Sequence, residues 1–202
     1  MTPLQLHATK WNNCTKCLLS KTRFKVVLGR GDVPCDVLFV GEAPGKSENV
    51  SEKAQAFVGP AGQELDEEIL DAIGKERVTG SNRLRIGFTN VVGCIPIEVG
   101  EDGSLGKVHE PPEDAVRECL PRVKEFLDIA KPRLIFTVGR IAEVWLDPNK
   151  KKGLRTGIPQ LNITHPAAIL RAPDAQRAVM RKNNVLTIAE GVSKYINRRG
   201  QS

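Results

Sequence analysis

Four short apolar runs, each closing on a turn and separated by helical stretches, set the fold class of this 202-residue chain. Residues 37–40 run into Gly41-Glu42-Ala43-Pro44-Gly45, and residues 84–92 run into Gly93-Cys94. Residues 134–138 end at Gly139, and residues 160–164 end at His165-Pro166. β-Branched and aromatic runs bounded by Gly or Pro read as buried strands. Between them, residues 61–76 place Leu65, Ile69, Leu70 and Ile73 at helical spacing, with acidic residues on the other face. Pro111-Pro112 opens a helix to about residue 130, with Val116, Leu120, Val123 and Leu127 inward and Pro121 bending it. Residues 140–146 read as a short helix, 150–153 as a loop, and 177–195 as mostly helical. Strands alternating with helices predict an α/β fold, a four-stranded parallel sheet flanked by helices. The length fits one domain over residues 1–202, with no repeat or low-complexity linker.

Composition narrows the setting. No apolar run is long enough to span a bilayer and the N-terminus is not signal-like, so the expectation is an intracellular, cytoplasmic protein with no membrane partner. The formal charge of +6 is unevenly spread: +6 over residues 1–30, −10 over 31–130 and +10 over 131–202. Basic ends around an acidic middle suit a polyanion binder, although lysines that merely solubilise a surface would look similar.

Functional candidates fall at strand ends, where ligands bind in α/β sheets. Glu42 follows the first strand, Asn90 closes the second in Thr89-Asn90-Val91-Val92, and His165 follows the last. Phe57, in Phe57-Val58-Gly59-Pro60-Ala61-Gly62, precedes the first helix. Each alone has an ordinary structural explanation. Together on one sheet edge, a carboxylate, an amide, an imidazole and an aromatic ring suit a flat, hydrogen-bonding molecule.

The cysteines form a second constellation. Cys14 and Cys17 make a CxxC in the N-terminal segment 1–30, and Cys94 and Cys119 lie far downstream. A CxxC brings two thiolates to one metal centre, and two more complete a four-sulfur site. Zinc and an iron–sulfur cluster both accept four cysteines. Cys35, just before a strand, reads as a core residue.

These strings, with His165-Pro166-Ala167-Ala168-Ile169-Leu170-Arg171, occur in an order that resembles the iron–sulfur uracil-DNA glycosylases, family 4, over nearly the whole chain. The resemblance implies a uracil-DNA glycosylase-like fold and a structural [4Fe-4S] cluster on Cys14, Cys17, Cys94 and Cys119. It further implies a monomeric, monofunctional DNA repair enzyme that hydrolyses the N-glycosidic bond of uracil in single- or double-stranded DNA. Phe57 would stack on the flipped base and Asn90 would pair with its O4 and N3 edge. His165 and the amides around Ala43 would stabilise charge at O2. Glu42 would handle the water or the sugar cation, and Glu48 would crowd the C5 edge. Ile169, Leu170 and Arg171 would form the wedge that touches DNA. The chain departs from the family pattern between Glu48-Asn49 and Phe57, where the usual glycine and proline are missing, and it carries an insertion at 98–107. Two other readings are a same-fold glycosylase for another deaminated or modified base, and a non-catalytic DNA-binding module.

Overall fold

The computed structural model describes residues 1–50, 52, 54–147 and 153–197; the predicted loop at 150–153 lies outside them apart from Gly153. The elements run α1 (Pro3–Trp11), β1 (Arg30–Gly31), β2 (Val37–Gly41), α2 (Lys46–Val50), α3 (Pro60–Ile73), α4 (Lys75–Thr79) and β3 (Ile86–Asn90). They continue β4 (Ile97–Val99), β5 (Leu105–Val108), α5 (Glu113–Ala130), β6 (Leu134–Val138), α6 (Arg140–Leu146), β7 (Gln160–Ile163), α7 (Pro166–Arg171) and α8 (Asp174–Tyr195).

The four predicted strands are present and pair in parallel in the order β3-β2-β6-β7. The sheet has five strands, however, which corrects the expectation of four. β1 joins the outer edge of β3 antiparallel, Arg30 opposite Phe88 and Gly31 opposite Gly87. A two-residue pairing carries no period for a sequence reading to detect. The approach also depends on glycine: Gly31 has φ +88°, and a Cβ there would lie 2.2 Å from the Ile86 carbonyl. β4 and β5 form a separate antiparallel hairpin, which the 98–107 insertion builds. The predicted helix 61–76 divides at Gly74, φ +78°, into α3 and α4. α5 continues through Pro121.

The pleat sends alternate residues of β2 into two cores. Leu38 and Val40 pack with Val123 and Phe126 of α5 and Ala142 of α6. Val37 and Phe39 pack with Leu65 and Ile69 of α3 and Ile188 and Val192 of α8. On this second face Phe39 stacks on Phe88 at 5.5 Å and on Phe136 at 5.0 Å between ring centroids. Each buried Phe contributes roughly 1.5–3 kcal/mol, and each stacked pair adds about 0.5–1.5 kcal/mol.

Charge segregation along the chain is partly used within the fold. Arg181 of basic α8 bonds Glu64 at 2.8 Å and Asp71 at 2.7 Å on acidic α3. At the N-terminus, His7 Nδ1 (2.8 Å), Trp11 Nε1 (3.2 Å) and Lys10 all donate to Glu125, docking α1 on α5.

α8 approaches the sheet through Gly191, where an added Cβ would sit 2.6 Å from Leu161 and 2.8 Å from the Phe136 ring. Alanine would gain about 0.5–1 kcal/mol of helix preference, but overpacking costs about 1–3 kcal/mol. Gly191→Ala is therefore expected to be destabilised, read as a lower urea midpoint at unchanged slope.

Candidate active site

β2 leads to β3 on one side and β6 leads to β7 on the other, so the chains leaving β2 and β6 diverge at a switch point. A cleft of about 620 Å³ opens there, lined by Glu42, Ala43, Glu48, Phe57, Asn90, His165, Leu170 and Arg171. Glu42, Phe57, Asn90 and His165, separate in sequence, thus meet on one surface. A cleft of about 600 Å³ at the opposite sheet end is lined by Asp36, Arg77, Arg83 and Arg133. Those groups are engaged with Arg85, Asn197, Asp32 and the Ile196 carbonyl respectively.

Gly41 makes the cleft floor possible. A Cβ there would lie 2.5 Å from both Asn90 Oδ1 and the Phe57 ring, so the amide and the ring fill the space a side chain would take. Phe57 adopts φ +58°, a left-handed conformation that costs a non-glycine residue on the order of 1–3 kcal/mol. Gly62 is its support: a Cβ at 62 would be 2.0 Å from the Phe57 carbonyl oxygen. Asn90 is held by its backbone. Buried Arg122 of α5 donates to the Asn90 carbonyl and, at 3.2 Å, to that of Val91.

His165 caps α7, its Nδ1 accepting from the Ala167 N–H at 3.1 Å. That bond leaves the proton of a neutral ring on Nε2. Burial, and secondarily the Arg171 cation, lower its pKa to about 4. Gly139, φ +87°, backs the ring: a Cβ there would be 3.0 Å from His165 Cβ.

Glu42 follows β2, its carbonyl accepting from Val92 N–H at 2.9 Å. Burial, then the Glu110 carboxylate, raise its pKa, and Arg140 opposes them. Arg140 itself forms a two-point bond to Glu110 at 2.8 and 3.0 Å. Sequence reading missed Glu110 and Arg140, which are thirty positions apart and carry no shared motif. It also missed His109, which lines the cleft and bonds Glu98 of β4 at 2.8 Å. The hairpin is fastened to the start of α2 by Lys46 Nζ on the Leu105 carbonyl at 3.3 Å.

Glu48 reaches the cleft wall, but both its oxygens accept backbone bonds, from Gly45 at 2.8 Å and Gly59 at 3.3 Å. It ties the loop after β2 to the loop bearing Phe57. On α7, Leu170 and Arg171 line the cleft while Ile169 is fully buried. This corrects the expected wedge: helical spacing turns Ile169 into the interior, where it anchors α7.

Cys14, Cys17, Cys94 and Cys119 line a single small cavity with Arg23 and Arg122. Arg23 Nη1 and Arg122 Nε are buried there without a hydrogen-bond partner. Burial raises the Cys94 thiol to about 12, with Arg23 the largest opposing charge. Among the described residues no three His, Cys, Asp or Glu converge closely enough for a single metal ion. Cys35 is buried in the core, as read from sequence.

The His165 geometry makes a spectroscopic prediction. ¹⁵N spectra are expected to show a neutral, Nε2-protonated ring at pH 6 that takes up a proton only near pH 4. A doubly protonated ring at pH 6 would contradict the burial and the capping bond.

The family model for the Uracil DNA glycosylase superfamily matches residues 28–187. A Type-4 uracil-DNA glycosylase of Pyrobaculum aerophilum is 34% identical over 201 residues, covering 92% of this chain and 93% of that protein. One from Archaeoglobus fulgidus is 30% identical over 177 residues, 80% of each chain. The chain thus belongs to the Uracil DNA glycosylase superfamily and, within it, to the Type-4 uracil-DNA glycosylases.

Proposed function

We propose that the cleft receives a uracil base turned out of DNA, and that the enzyme hydrolyses its N-glycosidic bond to leave an abasic site for base-excision repair. The observation that carries this reading is the meeting of Glu42, Phe57, Asn90 and His165 around one cleft. Removing a base from the stack costs a few kcal/mol. Stacking on Phe57 returns roughly 1–3 kcal/mol, and arrives on a ring already fixed by Gly41 and Gly62. The Asn90 amide offers one donor and one acceptor, the pair that the uracil O4 and N3 edge requires.

As the C1′–N1 bond breaks, its electron pair moves onto the base and positive charge develops on the sugar. A neutral His165 with its proton on Nε2 donates a hydrogen bond to the oxyanion at O2. The Ala43 backbone amide, on the same wall, is the second donor assigned to that oxygen. Ionised Glu42 faces the sugar cation, orients water toward C1′ and accepts its proton. Among the described residues, the one lysine lining the cleft, Lys46, bonds the Leu105 carbonyl, in keeping with a monofunctional enzyme that leaves the strand intact. Glu48 acts on base choice through the wall it braces, beside the C5 edge. Leu170 and Arg171 supply the contact to the gap and to phosphate. DNA is the macromolecular partner, and the protein acts as a monomer. No helix among the described residues is long and apolar enough to cross a membrane.

The chemistry of the second cavity fits a [4Fe-4S] cluster on Cys14, Cys17, Cys94 and Cys119. One zinc ion would draw its four sulfurs to ~3.8 Å of one another, given a tetrahedral Zn–S bond of about 2.3 Å. A cubane binds each thiolate to a different iron; the four cysteines that share this cavity could serve either centre, and the resemblance to the iron–sulfur family selects the cluster. The partnerless Arg23 and Arg122 donors suit an anionic group. When bound, the cluster supplies a cross-link between the N-terminal segment, the chain after β3 and α5.

Uracil release from single- and double-stranded oligonucleotides tests the catalytic reading. His165→Ala should lower it about 10²–10³-fold, the range for losing one preorganised donor, and Asn90→Ala should also lower it severely, while DNA binding survives. Wild-type activity should decline on the acid side at a pH above the ordinary Glu range, because Glu42 takes its proton before His165. Undiminished release from both variants would sink the assignments. For the cluster, purified protein is expected to be brown, with visible thiolate-to-iron absorbance and about four irons per chain, lost in Cys94→Ser. Stoichiometric zinc would overturn it.

A further inference from the structure

His165 is supported from behind by a buried polar network to which the cleft contributes nothing. Among the described residues β7 is an edge strand, paired only with β6, and Thr164 follows its last residue. Asn184 of α8 supplies what a neighbouring strand would: its Oδ1 accepts from the Thr164 N–H at 2.8 Å, and its Nδ2 donates to the Thr164 carbonyl at 2.9 Å. Nδ2 also lies 3.1 Å from each carboxylate oxygen of Glu68 on α3. Glu68 is fully buried and Asn184 nearly so. An asparagine inside a helix and a carboxylate in a core each oppose folding, and an α3–α8 contact of leucines would need neither.

We propose that Asn184 and Glu68 are positioning residues for His165, the Asn184 amide fixing the Thr164–His165 backbone and Glu68 fixing which way that amide points. Only one amide orientation places Oδ1 on the Thr164 N–H and Nδ2 on its carbonyl, and an acceptor at 68 reinforces it because it bonds Nδ2 and would repel Oδ1. Because His165 Nδ1 is already bound to Ala167, the direction of Nε2 follows the backbone at 164–165. A misplacement of about 1 Å at such a group can cost on the order of 10²-fold in rate. The charged groups around Glu68 are Glu64 on α3 and Arg181 on α8. Burial raises its carboxyl to about 7, opposed first by the Asn184 bond, so an uncharged acceptor should serve there.

This rests on the glycosylase reading of His165, and the test separates the two. Asn184→Ala, Glu68→Leu and Glu68→Gln are compared by single-turnover uracil release at saturating enzyme, DNA affinity, thermal melting and ¹⁵N spectra of the His165 ring. Asn184→Ala and Glu68→Leu should slow release about tenfold or more at nearly unchanged DNA affinity, with shifted or broadened His165 resonances. Glu68→Gln, which keeps an acceptor, should restore near-wild-type release. Wild-type release by both disruptive variants, with only melting lowered, would reduce the network to packing. Equal impairment by Gln and Leu would also overturn the orienting role of Glu68. If Asn184→Ala fails to fold, the Glu68 pair decides. If the wild-type protein releases no uracil, the glycosylase reading falls, and unchanged His165 spectra in the variants would overturn the positioning role independently.

Discussion

The register of three phenylalanines across the central strands underlies everything at the cleft. Phe88, Phe39 and Phe136 lie opposite one another on β3, β2 and β6 and stack on the face covered by α3 and α8. Two residues further along, the same register sets Gly41 beside Asn90 and brings β6 to its last residue, Val138, just before Gly139. A one-residue slip would turn Phe39 away from its partners and carry Asn90 off Gly41, because the side-chain period of a strand is two. Stability and site geometry are thus enforced by one packing arrangement.

Around that frame, missing side chains matter as much as present ones. Gly41 leaves room for the Asn90 amide and the Phe57 ring, Gly62 permits the left-handed Phe57 backbone, and Gly139 leaves room for the His165 ring. The same environment divides the chemistry between two titratable groups. Burial with a nearby carboxylate moves Glu42 up, whereas burial with a nearby guanidinium moves His165 down. The downward shift leaves His165 a neutral hydrogen-bond donor, and the upward shift makes Glu42 a stronger base toward a water proton. Arg122 spans the two centres, holding the Asn90 carbonyl while lining the cysteine cavity.

Much of this was legible because the relevant signals are local. Apolar runs punctuated by glycine marked β2, β3, β6 and β7, and turns placed Glu42, Asn90 and His165 at their ends. What escaped was non-local or short. β1 is two residues held by a glycine approach, the hairpin reads as an insertion, and the Glu110–Arg140 pair depends on where the chain after β5 meets the start of α6. The burial of Ile169 is not legible in a motif string, which does not say which face of a six-residue helix is turned inward. Asn184 had only a faint trace, an Asn-Asn pair in the middle of a long helix, where that residue type is unfavourable unless its side chain has a partner.

By itself, the sequence determined the order of strands and helices, the strand-end placement of the reactive residue types and the family to which the motifs point. Periodicity and turn chemistry act between neighbours in the chain, so a linear reading recovers them. Only the tertiary structure decided that Glu48 braces two loops, that Ile169 is internal and that four cysteines share one cavity with two partnerless arginine donors. It also decided that Asn184 substitutes for a strand behind His165. Those facts depend on distances between elements, on burial and on which hydrogen bonds remain to be made. All three are set by packing rather than by adjacency along the chain.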